Sequence, residues 1–205
     1  MRDVAVRRCG ALSLAGISAF VATAFVLQWL RHDLDWLDAP LSLYLLGHDG
    51  HVLQAAYVAL AVALVSLGLG FYGGLQPTAR SAAPLLLFAV SAVALIVTAL
   101  AHSNLPGQPH TLQGFVHGAA AAATFLCVTV AMLVQSWRLR GDSRWASRSG
   151  FAMTLALACF AGIWIDAFWK GMPCGLEQKL LIVLIVWWLL QAAWWLVRLP
   201  ARPRA

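Results

Sequence analysis

Charge is what this chain has least of: only 11% of its 205 residues are Asp, Glu, Lys or Arg, while 61% are apolar. Soluble domains carry roughly a quarter charged residues, so an ordinary water-facing surface is excluded. Catalytic and metal motifs are equally sparse. No His-x-x-x-His, His-Glu-x-x-His or Gly-x-Ser-x-Gly pattern occurs, which removes the usual helical zinc site and the nucleophile elbow. The four cysteines, Cys9, Cys127, Cys159 and Cys174, stand singly, with neither metal-ligand spacing nor an evident disulfide mate. Cys127 and Cys159 read as small apolar packing residues. No internal repeat stands out, so an inverted-repeat transporter plan has no support.

What the chain does have is apolar runs, each about the twenty residues that cross a hydrocarbon core. They cover residues 9–30, 52–73, 84–101, 113–135, 150–169 and 178–199. The first follows Arg2, Arg7 and Arg8 as a signal peptide would, but it is too long for a signal-peptide core and is expected to be a retained helix. The predicted fold is therefore all-α: a polytopic bundle of six transmembrane helices, with residues 1–205 forming a single integral membrane domain.

Arginines gather at one end of these runs and histidines at the other. The N-terminus, the second and fourth connections and the C-terminal tail together hold eleven basic and two acidic residues. The opposite ends of the runs and their connections hold three basic and six acidic, with all six histidines at or near them (His32, His48, His51, His102, His110, His117). By the positive-inside rule the arginine end is cytoplasmic, which places both termini inside. That bias absorbs the net charge of +6, so no nucleic-acid partner is expected. Most of the ten tryptophans lie near predicted interfaces, with Trp164, Trp187 and Trp188 deeper; the aromatic run in the last helix reads as lipid-facing or packing surface.

Three ionisable residues share a depth at the histidine ends of the last three helices: His117 and Asp166 about a turn inside theirs, and Glu177 at the start of the sixth. A carboxylate beside His117 would orient its ring, or the three would simply staple the bundle. His102, Ser103 and Asn104 end the third helix, and His110 and Gln113 lead into the fourth; these five are candidate pocket-lining residues. His110 would share a face with His117 if the fourth helix began early. Haem would need two histidines at matched depth, and only His117 lies inside a helix. His48 and His51 form only a generic pair. No cofactor and no metal site are expected. Gly114, Gly118 and Ala122 form a four-spaced small-residue stripe that marks the fourth helix as the central one. In the first loop, Pro40 to Gly47 reads as a short helix lying on the interface, stopped by glycine and able to cap a pocket.

Four segments carry a family resemblance. Pro40-Leu-Ser-Leu-Tyr-Leu-Leu-Gly47, Leu53-Gln54-Ala-Ala-Tyr57, Thr111-Leu-Gln-Gly-Phe-Val-His117 and Gly175-Leu-Glu-Gln-Lys179 resemble the corresponding elements of the membrane family catalogued as domain of unknown function 998. The resemblance implies a six-helix protein of the prokaryotic cytoplasmic membrane with no reaction assigned. Gln113 stands where the family's fourth-helix motif has its first histidine, and Leu105-Pro106-Gly107-Gln108 lacks the aspartate typical of the preceding loop. The expected function is an outward polar site at the outer ends of helices 3–6 that handles a lipid or small molecule, with catalysis left open. The alternative is a non-catalytic structural or regulatory partner of a membrane complex.

Overall fold

The computed structural model describes residues 2–104, 109–168, 171 and 173–199, the side chains of Arg2 and Asp166 excepted. Six helices carry the chain: α1 (Arg2–Leu30), α2 (Gly50–Gly74), α3 (Ala83–Leu100), α4 (Leu112–Leu139), α5 (Ala146–Phe168) and α6 (Cys174–Val197). All six are long and apolar enough to span a bilayer, and no strand occurs among the described residues. Each helix packs on its neighbour in sequence, α6 returns to α1, and α2 also touches α6, so the helices form a closed ring with α2 drawn inward.

Helix bounds exceed the apolar runs where helix-forming residues continue past the hydrocarbon. α1 begins at Arg2 rather than Cys9, and α4 runs on through Gln135, Ser136 and Arg138 to Leu139; straight-chain polar residues lose little freedom in a helix. Pro84 sits in the first turn of α3, where a missing N–H costs nothing. The start of α4 is fixed by Thr111, whose side chain accepts a hydrogen bond from the Gly114 amide at 3.0 Å.

In lipid, helices associate through close packing and short polar ties, because burial from water contributes little. Along α1 and α2, a Cβ on Gly16 would lie 2.6 Å from the Ala59 carbonyl oxygen. Ser13 donates to the Ala63 carbonyl at 3.0 Å, and Ser66 to that of Cys9 at 3.0 Å. Ser91 ties α3 to α4 through the Thr124 carbonyl, and the Trp188 indole ties α6 to α5 through that of Ala152. The expected small-residue stripe on α4 does not act this way. A Cβ on Gly118 would meet nothing within 4 Å, and the space beside Gly114 is taken by the Asn104 side chain. The most buried span is α2.

The two ends differ as the charges predict. At the arginine end, Asp142 accepts from the Gln76 and Arg144 amides at 2.7 and 2.9 Å, Arg138 donates to the Ala79 carbonyl, and Arg144 lies 3.6 Å from Asp3. Gly10 and Leu196 meet there too, so the start of α1 and the end of α6 share an end. At the histidine end, Lys179 donates to the Trp36 carbonyl and the Cys174 thiol to that of Asp38.

Candidate functional site

A cavity of about 80 Å³ lies inside the ring, lined mainly by α2, α3, α4 and α6. Its depth is apolar, with Leu64, Leu95, Phe125, Val128 and Leu189 among its walls. Its polar lining includes Ser42, Tyr57, His117 and Gln178. Apolar walls with a few converging polar groups are the usual form of a small-molecule pocket, and the volume exceeds the roughly 10–15 Å³ that one water needs.

His117 reaches this space from the second turn of α4 and is buried. Its Nδ1 lies 2.9 Å from the carbonyl oxygen of Ala101, which caps the end of α3. The last carbonyls of a helix have no intrahelical donor, so the imidazole both satisfies one and fastens α4 to α3. A carbonyl only accepts, hence Nδ1 carries the hydrogen, and in the neutral ring Nε2 is left as the acceptor. Nε2 has no hydrogen-bond partner among the described residues, yet it is not among the buried polar atoms sealed off without one. His117 itself is among the residues that line the cavity.

The first loop closes the histidine end. Residues Leu41–Leu45 form a single 3-10 helix whose Leu41, Tyr44 and Leu45 are buried. This differs from a helix floating on the interface. The stretch between Pro40 and Gly47 is too short for more than one tight turn, and it is anchored on both sides. The Gln178 side-chain oxygen accepts from the Leu41 amide at 2.8 Å, and Arg31 donates to the Leu46 carbonyl at 2.7 Å. Gly47 turns the chain at φ 91°, a left-handed conformation that favours glycine. Arg31 also grips Asp33 through two bonds of 2.7 Å. That hydrogen-bonded pair raises the Arg31 pKa and holds the Asp33 carboxyl below the usual aspartate value, while burial raises the Tyr44 phenol.

Among the described residues expected to form the site, only His117 lines the cavity. Glu177 is buried, with Oε1 sealed and unpartnered, but it does not line the cavity, and His117 makes no ion pair among the described residues. The side chain of Asp166 lies outside the described residues. His102, His110 and Gln113 are exposed. His110 precedes the Thr111 cap, so it shares no helical face with His117. Ser103 has a sealed, unpartnered hydroxyl, and Asn104 accepts from the Thr111 hydroxyl at 2.8 Å. None of these five lines the cavity. Among the described residues no cluster of three or more metal-ligating side chains occurs.

The polar lining residues missed include Ser91, Thr98 and Thr124, which carried no signal, and Ser42, Tyr57 and Gln178, which had one. Each of the latter three lies in one of the four segments that carry the family resemblance, and His117 supplies the fourth. Short motifs far apart in sequence thus converge on one space. Neither a curated protein nor a solved structure matches the chain. Over residues 14–195 it matches the model of the family described as "Protein of unknown function (DUF998)", and the chain belongs to that family.

Proposed function

We propose that this membrane protein binds a slender amphiphile in the His117 cavity: one apolar chain in the depth, and a hydrogen-bond-donating head among Ser42, Tyr57 and Gln178. The observation that carries this reading is the 2.9 Å contact of His117 Nδ1 with the Ala101 carbonyl, which makes Nδ1 the donor and leaves Nε2 as an acceptor without a partner among the described residues, on a side chain that lines the cavity. A hydroxyl, amide or ammonium head would supply the donor that Nε2 lacks, and an unmet acceptor in so apolar a site is costly. With the arginine end inside, the site faces the outer leaflet of a prokaryotic cytoplasmic membrane.

The test is native mass spectrometry of the full chain purified in mild detergent, with extraction and identification of bound lipid. The wild type should carry a one-to-one amphiphile adduct. His117→Asn should lose it while remaining folded, since the asparagine amide nitrogen stands where Nδ1 stands and still reaches Ala101. A wild type without adduct, or an adduct that His117→Asn retains, would overturn the reading.

A further inference from the structure

A second space lies against the first. Between α1 and α6 runs a groove of about 380 Å³, apolar along Val21, Phe25, Val183 and Trp187. Those four side chains are exposed, so in a bilayer the groove faces hydrocarbon. Phe20, Ile182 and Val186 line both this groove and the central cavity. Three apolar side chains therefore form the wall that the two spaces share.

An indentation of this size cannot stay empty in a membrane. Lining atoms without neighbours forfeit their dispersion contacts, and water is excluded from an apolar groove in hydrocarbon. The occupant at hand is a lipid chain. The polar residues of the groove, Gln28 and Lys179, sit toward its histidine end. Gln28 spends its amide on the Ala24 carbonyl. Lys179 gives one hydrogen bond to the Trp36 carbonyl and lies 5.4 Å from the Tyr44 ring centre. An ammonium has three donors, so it keeps capacity for an anionic head at the level where lipid phosphates lie.

We propose that the α1–α6 groove binds one acyl chain of an anionic bilayer lipid, its head on Lys179, and that the central cavity is filled sideways from this groove past Phe20. The second half rests on the amphiphile reading above; the first half does not.

Both halves are tested by reconstituting the full chain into phosphatidylcholine vesicles doped with diazirine-tailed phosphatidylglycerol, photolysing, and mapping adducts by mass spectrometry. Val21 and Val183 should be labelled several-fold above Val93, a residue on α3 at least as exposed as either. Labelling at the Val93 level would mean ordinary surrounding lipid and would overturn the groove site. Replacing the probe by diazirine-tailed phosphatidylcholine should lower groove labelling roughly fivefold, the effect of one lysine near a lipid head. Lys179→Gln should erase that difference; an unchanged preference would remove Lys179 as the head contact. Val21→Trp, which fills the groove from its lipid side, should reduce adducts on the cavity residues Leu60 and Phe125 as well. If cavity adducts persist undiminished, the sideways route is wrong. His117→Asn should empty the cavity and leave groove labelling intact. A labelled groove beside an unlabelled wild-type cavity would sink the route and spare the groove site, while the amphiphile reading falls only with the native adduct.

Discussion

His117 on α4 donates through Nδ1 to the Ala101 carbonyl at the end of α3, 2.9 Å away, and this bond leaves Nε2 as the acceptor of a ring that lines the cavity. Stability and binding can therefore be separated at this residue. His117→Ala removes the donor and leaves a helix-end carbonyl unpaired, a loss of about 1 kcal/mol, so its thermal midpoint should fall below that of His117→Asn. Both variants should lose the bound amphiphile. The 15N shifts of the wild-type ring should show a protonated Nδ1 and a bare Nε2; the opposite tautomer would contradict the geometry.

Gly16 and Gly118 look alike in the sequence and should respond oppositely to alanine. A Cβ on Gly16 would stand 2.6 Å from a backbone carbonyl oxygen of α2, and backbone gives way only by parting the helices. Gly16→Ala should cut the yield of monodisperse protein and lower the thermal midpoint. Gly118 meets nothing within 4 Å, so alanine there should be neutral or stabilising by up to about 1 kcal/mol from helix propensity alone.

That contrast shows how far the fold was legible in the sequence. Hydropathy and the segregation of Arg from His sufficed for six spans and for which residues share an end, because both follow from the energetics of lipid and its interfaces. Which face of a helix packs inward is weakly encoded in a membrane protein, since lipid and core are equally apolar. The small residues of α4 therefore pointed to the wrong central helix. The site was legible only in part for the same reason. His117 stood out as an ionisable group inside a span, whereas Tyr57 and Gln178 are ordinary near an interface and gain meaning only once the ring brings them to one cavity. Asn104 looked like a pocket residue but serves the α4 cap instead.

Arg31 and Asp33 give the cavity's closing loop an acid sensitivity of known sign. The folded-state pKa of Asp33 lies below the ordinary 3.8, chiefly through its hydrogen bonds to Arg31. A depressed carboxyl contributes stability that is present above the unfolded value and is lost as pH falls through the folded one. Hydrogen exchange at residues 41–47 should therefore accelerate below about pH 3.8 in the wild type. Asp33→Asn should show the faster exchange already at neutral pH and no such acid step.

Trp187 and Trp188 are adjacent and should separate cleanly. The Trp188 indole is 2% exposed, donates to the Ala152 carbonyl at 2.9 Å and packs near Phe88. Trp188→Phe keeps most of the packing and strands that carbonyl contact, so a loss of about 0.5–1.5 kcal/mol is expected in thermal or denaturant unfolding. Trp187 is 47% exposed on the lipid side, and Trp187→Phe should change stability by less than about 0.5 kcal/mol.

Asp142 fastens the arginine end and should be the residue there least tolerant of change. It is 2% exposed, and its two carboxylate oxygens take the amides of Gln76 and Arg144. One side chain thus joins the α2–α3 turn to the entry of α5. Asp142→Ala would strand the buried Arg144 amide at about 1–3 kcal/mol and the partly buried Gln76 amide at less, whereas Asp142→Asn keeps one oxygen as an acceptor and should fall between alanine and wild type. The amphiphile adduct offers a control, because the cavity lies toward the opposite end of the bundle. Asp142→Asn should melt earlier yet bind at the wild-type ratio while folded. If all three proteins melted together, the two amides would have to find other partners, and the turn-to-turn clasp assigned to Asp142 would not exist.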